Sequence, residues 1–150
     1  MEEKEKEIEK KIEELAEPII KRMGYELVDI QFKSGGRQSY LRIFVDRPKG
    51  EGHISIRELE ALSNELSIML DVEDPIEESY ILEVSSPGLD RELKKEREIR
   101  WAIGKKVIAH MEDGTSVSGK LEGVEEDSLQ IEGKQVERKK VKKLKLNEVD

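Results

Sequence analysis

Apolar residues recur along the chain with two periods, and each change of period marks a new element. Ile8, Ile12, Leu15, Ile19 and Met23 follow one another at intervals of three and four, which places them on one helical face. Pro18 falls inside this run and lacks a backbone N–H, so a kink is expected near Glu14. Gly24 supplies a left-handed stop after the helix. The period then shortens to two. Val28, Ile30 and Phe32 alternate with Asp29 and Gln31, and Leu41, Ile43 and Val45 share one face of a second strand from Tyr40 to Asp46. With the turn Ser34-Gly35-Gly36-Arg37 between them, these strands predict an antiparallel hairpin. A loop over residues 47–52 follows. Ser55 and Glu58 have capping-box spacing, and the helix they open presents Leu59, Leu62, Leu66, Met69 and Leu70 on one face. Asp71 to Ser79 reads as an acidic loop and Tyr80 to Val84 as a third strand. The order αββαβ predicts two helices over one face of a three-stranded sheet.

Pro87-Gly88 marks a turn, and Ser86, preceding proline, is biased to be extended. A short helical segment around Glu96–Ala102 leads to Gly104. Short strands follow: Val107, Ala109 and Met111; a tight turn at Asp113-Gly114; Val117, Gly119 and Leu121; Leu129 and Ile131; a turn at Gly133; then Val136, Val141, Leu144 and Leu146. Several short strands in succession predict a small β-barrel, because closure removes exposed edges. The expected fold is α+β in two domains, an αββαβ domain over residues 1–92 and a barrel over 93–150.

Charge refines this picture. Charged residues make up 41% of the chain and hydrophobic ones 35%, yet the apolar positions are periodic, so the expectation is a folded protein with a heavily charged surface. The net charge of −8 is unevenly spread: residues 1–92 carry 23 acidic and 13 basic side chains, residues 93–150 carry 12 and 14. A field of this sign argues against general nucleic-acid affinity. It permits docking on a basic protein and local contact with RNA through the C-terminal half. The absence of cysteine excludes disulfides and thiolate chemistry. The opening MEEKEKEIEKKIEEL has no apolar core of a signal or transit peptide, and no apolar run approaches the roughly 20 residues of a membrane helix. A cytoplasmic protein with no membrane partner is expected.

Candidate chemistry is sparse. His53 and His110 lie in different predicted domains, each without a second histidine at metal-ligand spacing. No phosphate loop or dinucleotide fingerprint occurs, and Gly35-Gly36 sits where a hairpin needs its turn. Ser85 and Ser86 lack a neighbouring base and a nucleophile elbow. Asp71, Glu73, Asp74, Glu77 and Glu78 do not follow calcium-loop spacing, and a solvated acidic loop accounts for them. No catalytic residue, metal, cofactor or small-molecule substrate is expected. The run Arg138-Lys139-Lys140-Val141-Lys142-Lys143-Leu144-Lys145 has six basic residues in eight. It reads either as a surface for RNA phosphates or as a solvated strand edge whose lysines discourage sheet-to-sheet association.

Several stretches resemble the bacterial ribosome maturation factor RimP family. They are Gly24–Ile30, Leu41–Asp46, the capped helix after Ile54-Ser55, Leu70–Ile76 and, above all, Tyr80-Ile81-Leu82-Glu83-Val84-Ser85-Ser86-Pro87-Gly88-Leu89-Asp90-Arg91. In the second half, Ile103-Gly104-Lys105 and Gly119–Gly123 sit where the family has its second domain. The resemblance implies an N-terminal α+β domain and a C-terminal SH3-like (Sm-like) barrel. It also implies a role in late assembly of the small ribosomal subunit, with the subunit's twelfth protein, which is basic, and adjacent ribosomal RNA as partners. One departure is visible: Glu92 stands where proline is expected after the arginine, which loosens the link. Two readings of the motif remain open. Pro87, Gly88 and Leu89 can set the domain angle as an interdomain turn, or Ser85, Ser86, Asp90 and Arg91, with Arg138, Lys139, Lys140, Lys142 and Lys143, can contact the ribosome.

Overall fold

The protein is described by a computed structural model over residues 2–48, 52–88 and 90–148. The chain forms two compact units, residues 1–87 and 88–150. Residues 88–92, assigned from sequence to the first domain, therefore group with the second.

In the first unit, α1 (Glu2–Arg22) precedes β1 (Glu26–Lys33), β2 (Ser39–Asp46), α2 (Ile56–Glu73) and β3 (Tyr80–Ser85). The sheet order is β1-β2-β3. β1 and β2 form the expected antiparallel hairpin. β3 runs parallel to β2, because α2 carries the chain back across the sheet before β3 begins. Helix α1 continues through the exposed Pro18. Its fully buried residues are Ile12, Ala16 and Ile20, with Ile8, Ile19 and Met23 packed at the margin. The buried face is thus centred on a small residue, which permits close approach to the sheet. From α2, Leu62, Leu66 and Leu70 enter the same core, against Phe32, Leu41 and Ile43.

Edge strand β1 would leave amide donors unpaired, and α1 supplies their acceptors. Phe32 N–H donates to Glu9 Oε2 at 2.8 Å and Ser34 N–H to Glu5 Oε2 at 2.7 Å. Such cover blunts an edge that would otherwise pair with another chain. A bulge between Leu27 and Asp29 breaks the simple alternation of β1. Leu27, Ile30 and Phe32 share the core, and Asp29, expected to face outward, is buried. Its carboxylate accepts from Ile30 N–H at 2.8 Å and from Gln31 Nε2 at 3.2 Å.

The Ser55 cap forms as expected: Glu58 N–H donates to Ser55 Oγ and Ser55 N–H to Glu58 Oε1. Glu58 also accepts from Tyr25 OH and pairs with Arg47. The Ser55 amide first, then Arg47 and Tyr25, hold its carboxyl at about 2, below the ordinary 4.5. A depressed folded pKa contributes stability above pH 4.5 that is lost as pH falls through about 2. Glu58→Gln is therefore expected to flatten the acid side of the stability profile. Urea midpoints between about pH 2 and 5 check this; parallel profiles for the two proteins would contradict it. At its other end α2 runs on to Glu73, where an acidic loop was expected to have begun at Asp71. Asp74, with φ 46°, caps it by donating to the Leu70 carbonyl at 2.8 Å.

The second unit holds α3 (Glu96–Trp101), β4 (Lys106–Met111), β5 (Ser116–Val124), β6 (Ser128–Ile131), β7 (Lys134–Glu137), a 3-10 turn Arg138–Lys140 and β8 (Val141–Leu146). The sheet order is β7-β6-β5-β4-β8. Strand β5 pairs with β4 through its first half and with β6 through its second, and a bulge between Leu121 and Gly123 interrupts the β6 ladder. Gly119 has φ +146°, and a Cβ there would lie 2.1 Å from Glu132 Oε2, so only glycine fits without displacing that side chain.

The closed barrel expected from sequence is not formed: no ladder joins β7 to β8 among the described residues. The reason is that β8 is already engaged on both sides. β4 pairs with one edge. On the other, Leu93 N–H donates to the Leu144 carbonyl and Leu146 N–H to the Arg91 carbonyl, each at 2.8 Å. The lysine-rich run is split between the 3-10 turn and β8.

Candidate functional site

The motif residues separate by unit. In the first, Ser85 ends β3 opposite Phe44 and is half-buried, Ser86 is exposed and Pro87 half-buried. In the second, Gly88 and Asp90 are exposed; Leu89 lies outside the described residues. Gly88 does not adopt a left-handed φ, and an added Cβ would meet only Asp90 Oδ1 at an ordinary 3.5 Å. Gly88→Ala is accordingly expected to change stability by less than about 1 kcal/mol. A urea midpoint shifted by more than that would show a conformational need for glycine.

Arg91 is held inside its unit. Its Nε lies 2.7 Å from Glu98 Oε2, and the two side chains are only 12% and 4% exposed. The other Glu98 oxygen accepts from Lys95 N–H at 3.0 Å and Lys94 N–H at 3.3 Å, closing the start of α3. One carboxylate thus ties Arg91, the segment before α3 and the helix start together. Sequence reading gave Glu98 no role, because a glutamate in a charge-rich helix carries no local sign that it is buried.

Arg138 is also engaged. Its guanidinium meets Glu96 edge to edge, Nη2 to Oε2 at 2.6 Å and Nη1 to Oε1 at 3.3 Å, and Nη1 also donates to the Glu125 carbonyl at 2.8 Å. The pairing lowers the Glu96 carboxyl and raises the guanidinium pKa. Of the lysines, Lys140 pairs with Glu137 at 3.3 Å and Lys143 approaches Glu92 at 3.9 Å. Lys139 and Lys142 are exposed, with no ion pair among the described residues. The β8 ladder carries an irregularity at Lys142, between the pairs Met111↔Val141 and His110↔Lys143. Lys142 and Lys143 are in consequence both exposed, while Leu144 remains buried.

These lysines border a groove of about 300 Å³ within the second unit. Leu93, Ile99, Leu129, Val141 and Leu144 line it with aliphatic surface, and Glu92, Lys94, Arg138, Lys142 and Lys143 contribute charge. The histidines stand apart from it: His110 Nδ1 lies 3.1 Å from Ser116 Oγ, and His53 is exposed in the first unit. Among the described residues, no group of three His, Cys, Asp or Glu side chains is placed to hold a metal. No helix among the described residues is long and apolar enough to cross a membrane.

The helix-and-sheet arrangement of the first unit and its SSPG exit coincide with a recognised domain. The family model described as the RimP N-terminal domain matches residues 15–90. That stretch spans half of the 150 residues and contains β1, β2, α2 and β3 entire. The chain belongs to the RimP family of ribosome maturation factors.

Proposed function

We propose that this protein is a non-catalytic assembly factor of the small (30S) ribosomal subunit, acting in the bacterial cytoplasm. The family match over residues 15–90 carries this reading. The factor binds immature subunits through the subunit's twelfth protein and adjacent ribosomal RNA. Binding energy is its whole mechanism: preference for one arrangement of that neighbourhood shifts the population toward the mature state. Its acidic first half complements a basic ribosomal protein. Ser85, Ser86, Asp90, Arg138, Lys139, Lys140, Lys142 and Lys143 are the proposed contacts, and Arg91 positions those of its own unit from within. Pro87 and Gly88 form the link between the units. We read the second unit as an SH3-like (Sm-like) barrel left open at one seam. The strand order, the division of β5 between two ladders and the 3-10 turn before β8 support that reading.

Removal of the gene from its source cell tests the role. The expected result is accumulation of free, immature small subunits at the expense of assembled ribosomes. An unchanged subunit profile with fully processed small-subunit RNA would contradict it.

A further inference from the structure

The groove of the second unit combines features that the general reading of a cationic surface leaves unused. The aliphatic part of its floor comes from Leu93, Ile99, Leu129, Val141 and Leu144, beside a larger polar share that includes Glu92. Lys94, Lys142 and Lys143 stand around it, the last two brought out together by the irregularity in β8. Arg138 also lines it, but its charge is already met. Glu96 takes the guanidinium edge at 2.6 and 3.3 Å and the Glu125 carbonyl takes it at 2.8 Å. Those bonds lie in the guanidinium plane and use three of its five N–H donors, so the group is held as a flat plate with two faces. An unstacked base lies well on such a face.

We propose that this groove takes one unpaired nucleotide of single-stranded RNA. The base lies against the Arg138 plate and the aliphatic part of the floor, and the flanking phosphates rest on Lys94, Lys142 and Lys143. The inference rests on the small-subunit reading and names the RNA feature that the second unit would hold. A duplex keeps its bases stacked and offers the groove only phosphates. Discrimination between single and double strands is therefore the signature, despite the chain's net charge of −8.

The test uses the full chain and a fluorescent eight-nucleotide RNA without secondary structure, compared by anisotropy with a duplex of the same length. Single-stranded RNA is expected to bind at least about tenfold more tightly than duplex. Val141→Phe, which fills the groove and leaves every charge in place, is expected to remove that preference. Lys142→Gln with Lys143→Gln should lower the salt slope for single strands by about 1.4. Should Val141→Phe fail to fold by circular dichroism, the wild-type methyl resonances decide. Selective shifts at Ile99, Leu129, Val141 and Leu144 on adding the RNA are expected. Equal affinity for both RNAs, a folded Val141→Phe that still discriminates, unmoved methyl groups, or preference for a glutamate–leucine peptide would each overturn the proposal. Sedimentation of wild-type protein with small subunits is scored separately. RNA discrimination without subunit binding defeats the assembly role alone, and subunit binding without discrimination defeats the groove alone.

Discussion

Arg91→Ala is expected to destabilise the second unit by about 3–5 kcal/mol, enough to unfold much of it. The carboxylate of Glu98 is 4% exposed and takes the Arg91 guanidinium at 2.7 Å. Truncating the arginine leaves that negative charge in place with its strongest partner gone and little water to replace it. The same carboxylate accepts from the Lys94 and Lys95 amides, so disturbing it also loosens the start of α3. Arg91 lies beside β8 as well, its carbonyl accepting from Leu146 N–H. Urea unfolding followed at Trp101, the chain's only tryptophan, reports on this unit. Arg91→Met combined with Glu98→Leu removes both charges, and this double variant should recover most of the lost stability. If Arg91→Ala alone leaves the midpoint within about 0.5 kcal/mol of wild type, the pair does not anchor the unit.

The second large effect concerns Lys139, Lys140, Lys142 and Lys143. If each neutralises one phosphate, wild-type affinity for small subunits should fall about 50- to 200-fold between roughly 50 and 200 mM salt. Replacing all four by glutamine should weaken binding at low salt and leave a much flatter salt dependence. Fold stability should change little, because all four side chains are exposed and the two ion pairs that are lost, with Glu137 and Glu92, are surface pairs. A variant that binds with the wild-type salt slope would return these lysines to the reading as a solvated edge. Arg138 is left out of the set deliberately. Its loss would release Glu96 and the 3-10 turn, mixing a structural defect with an electrostatic one.

Local rules recovered what local physics decides. The β1–β2 hairpin, the Ser55–Glu58 cap and the inward faces of β2 and α2 follow from period, turn chemistry and capping within a few residues. Departures arose where a distant partner decides. Asp29 is buried because a bulge turns β1, and nothing in its immediate neighbours announces that irregularity. Ala16 and Ile20 share the α1 core face, yet a pattern weighted toward large apolar residues passes over an alanine. The sheet of the second unit stays open because residues 91–93 occupy the β8 edge, a pairing across some fifty positions of sequence.

The candidate site divides in the same way. The basic run was visible as composition, but its partition into a clamped Arg138, paired Lys140 and Lys143, and exposed Lys139 and Lys142 depends on Glu96, Glu137 and Glu92. The motif also offered Arg91 as a contact to the ribosome. Its guanidinium meets Glu98 in its own unit.

Co-sedimentation of the purified full chain with free small subunits, free large subunits and assembled ribosomes, at low and at moderate salt, tests the assembly role most directly. Selective recovery with free small subunits is the predicted result. Equal recovery with all three particles, or none with small subunits at either salt, would contradict it.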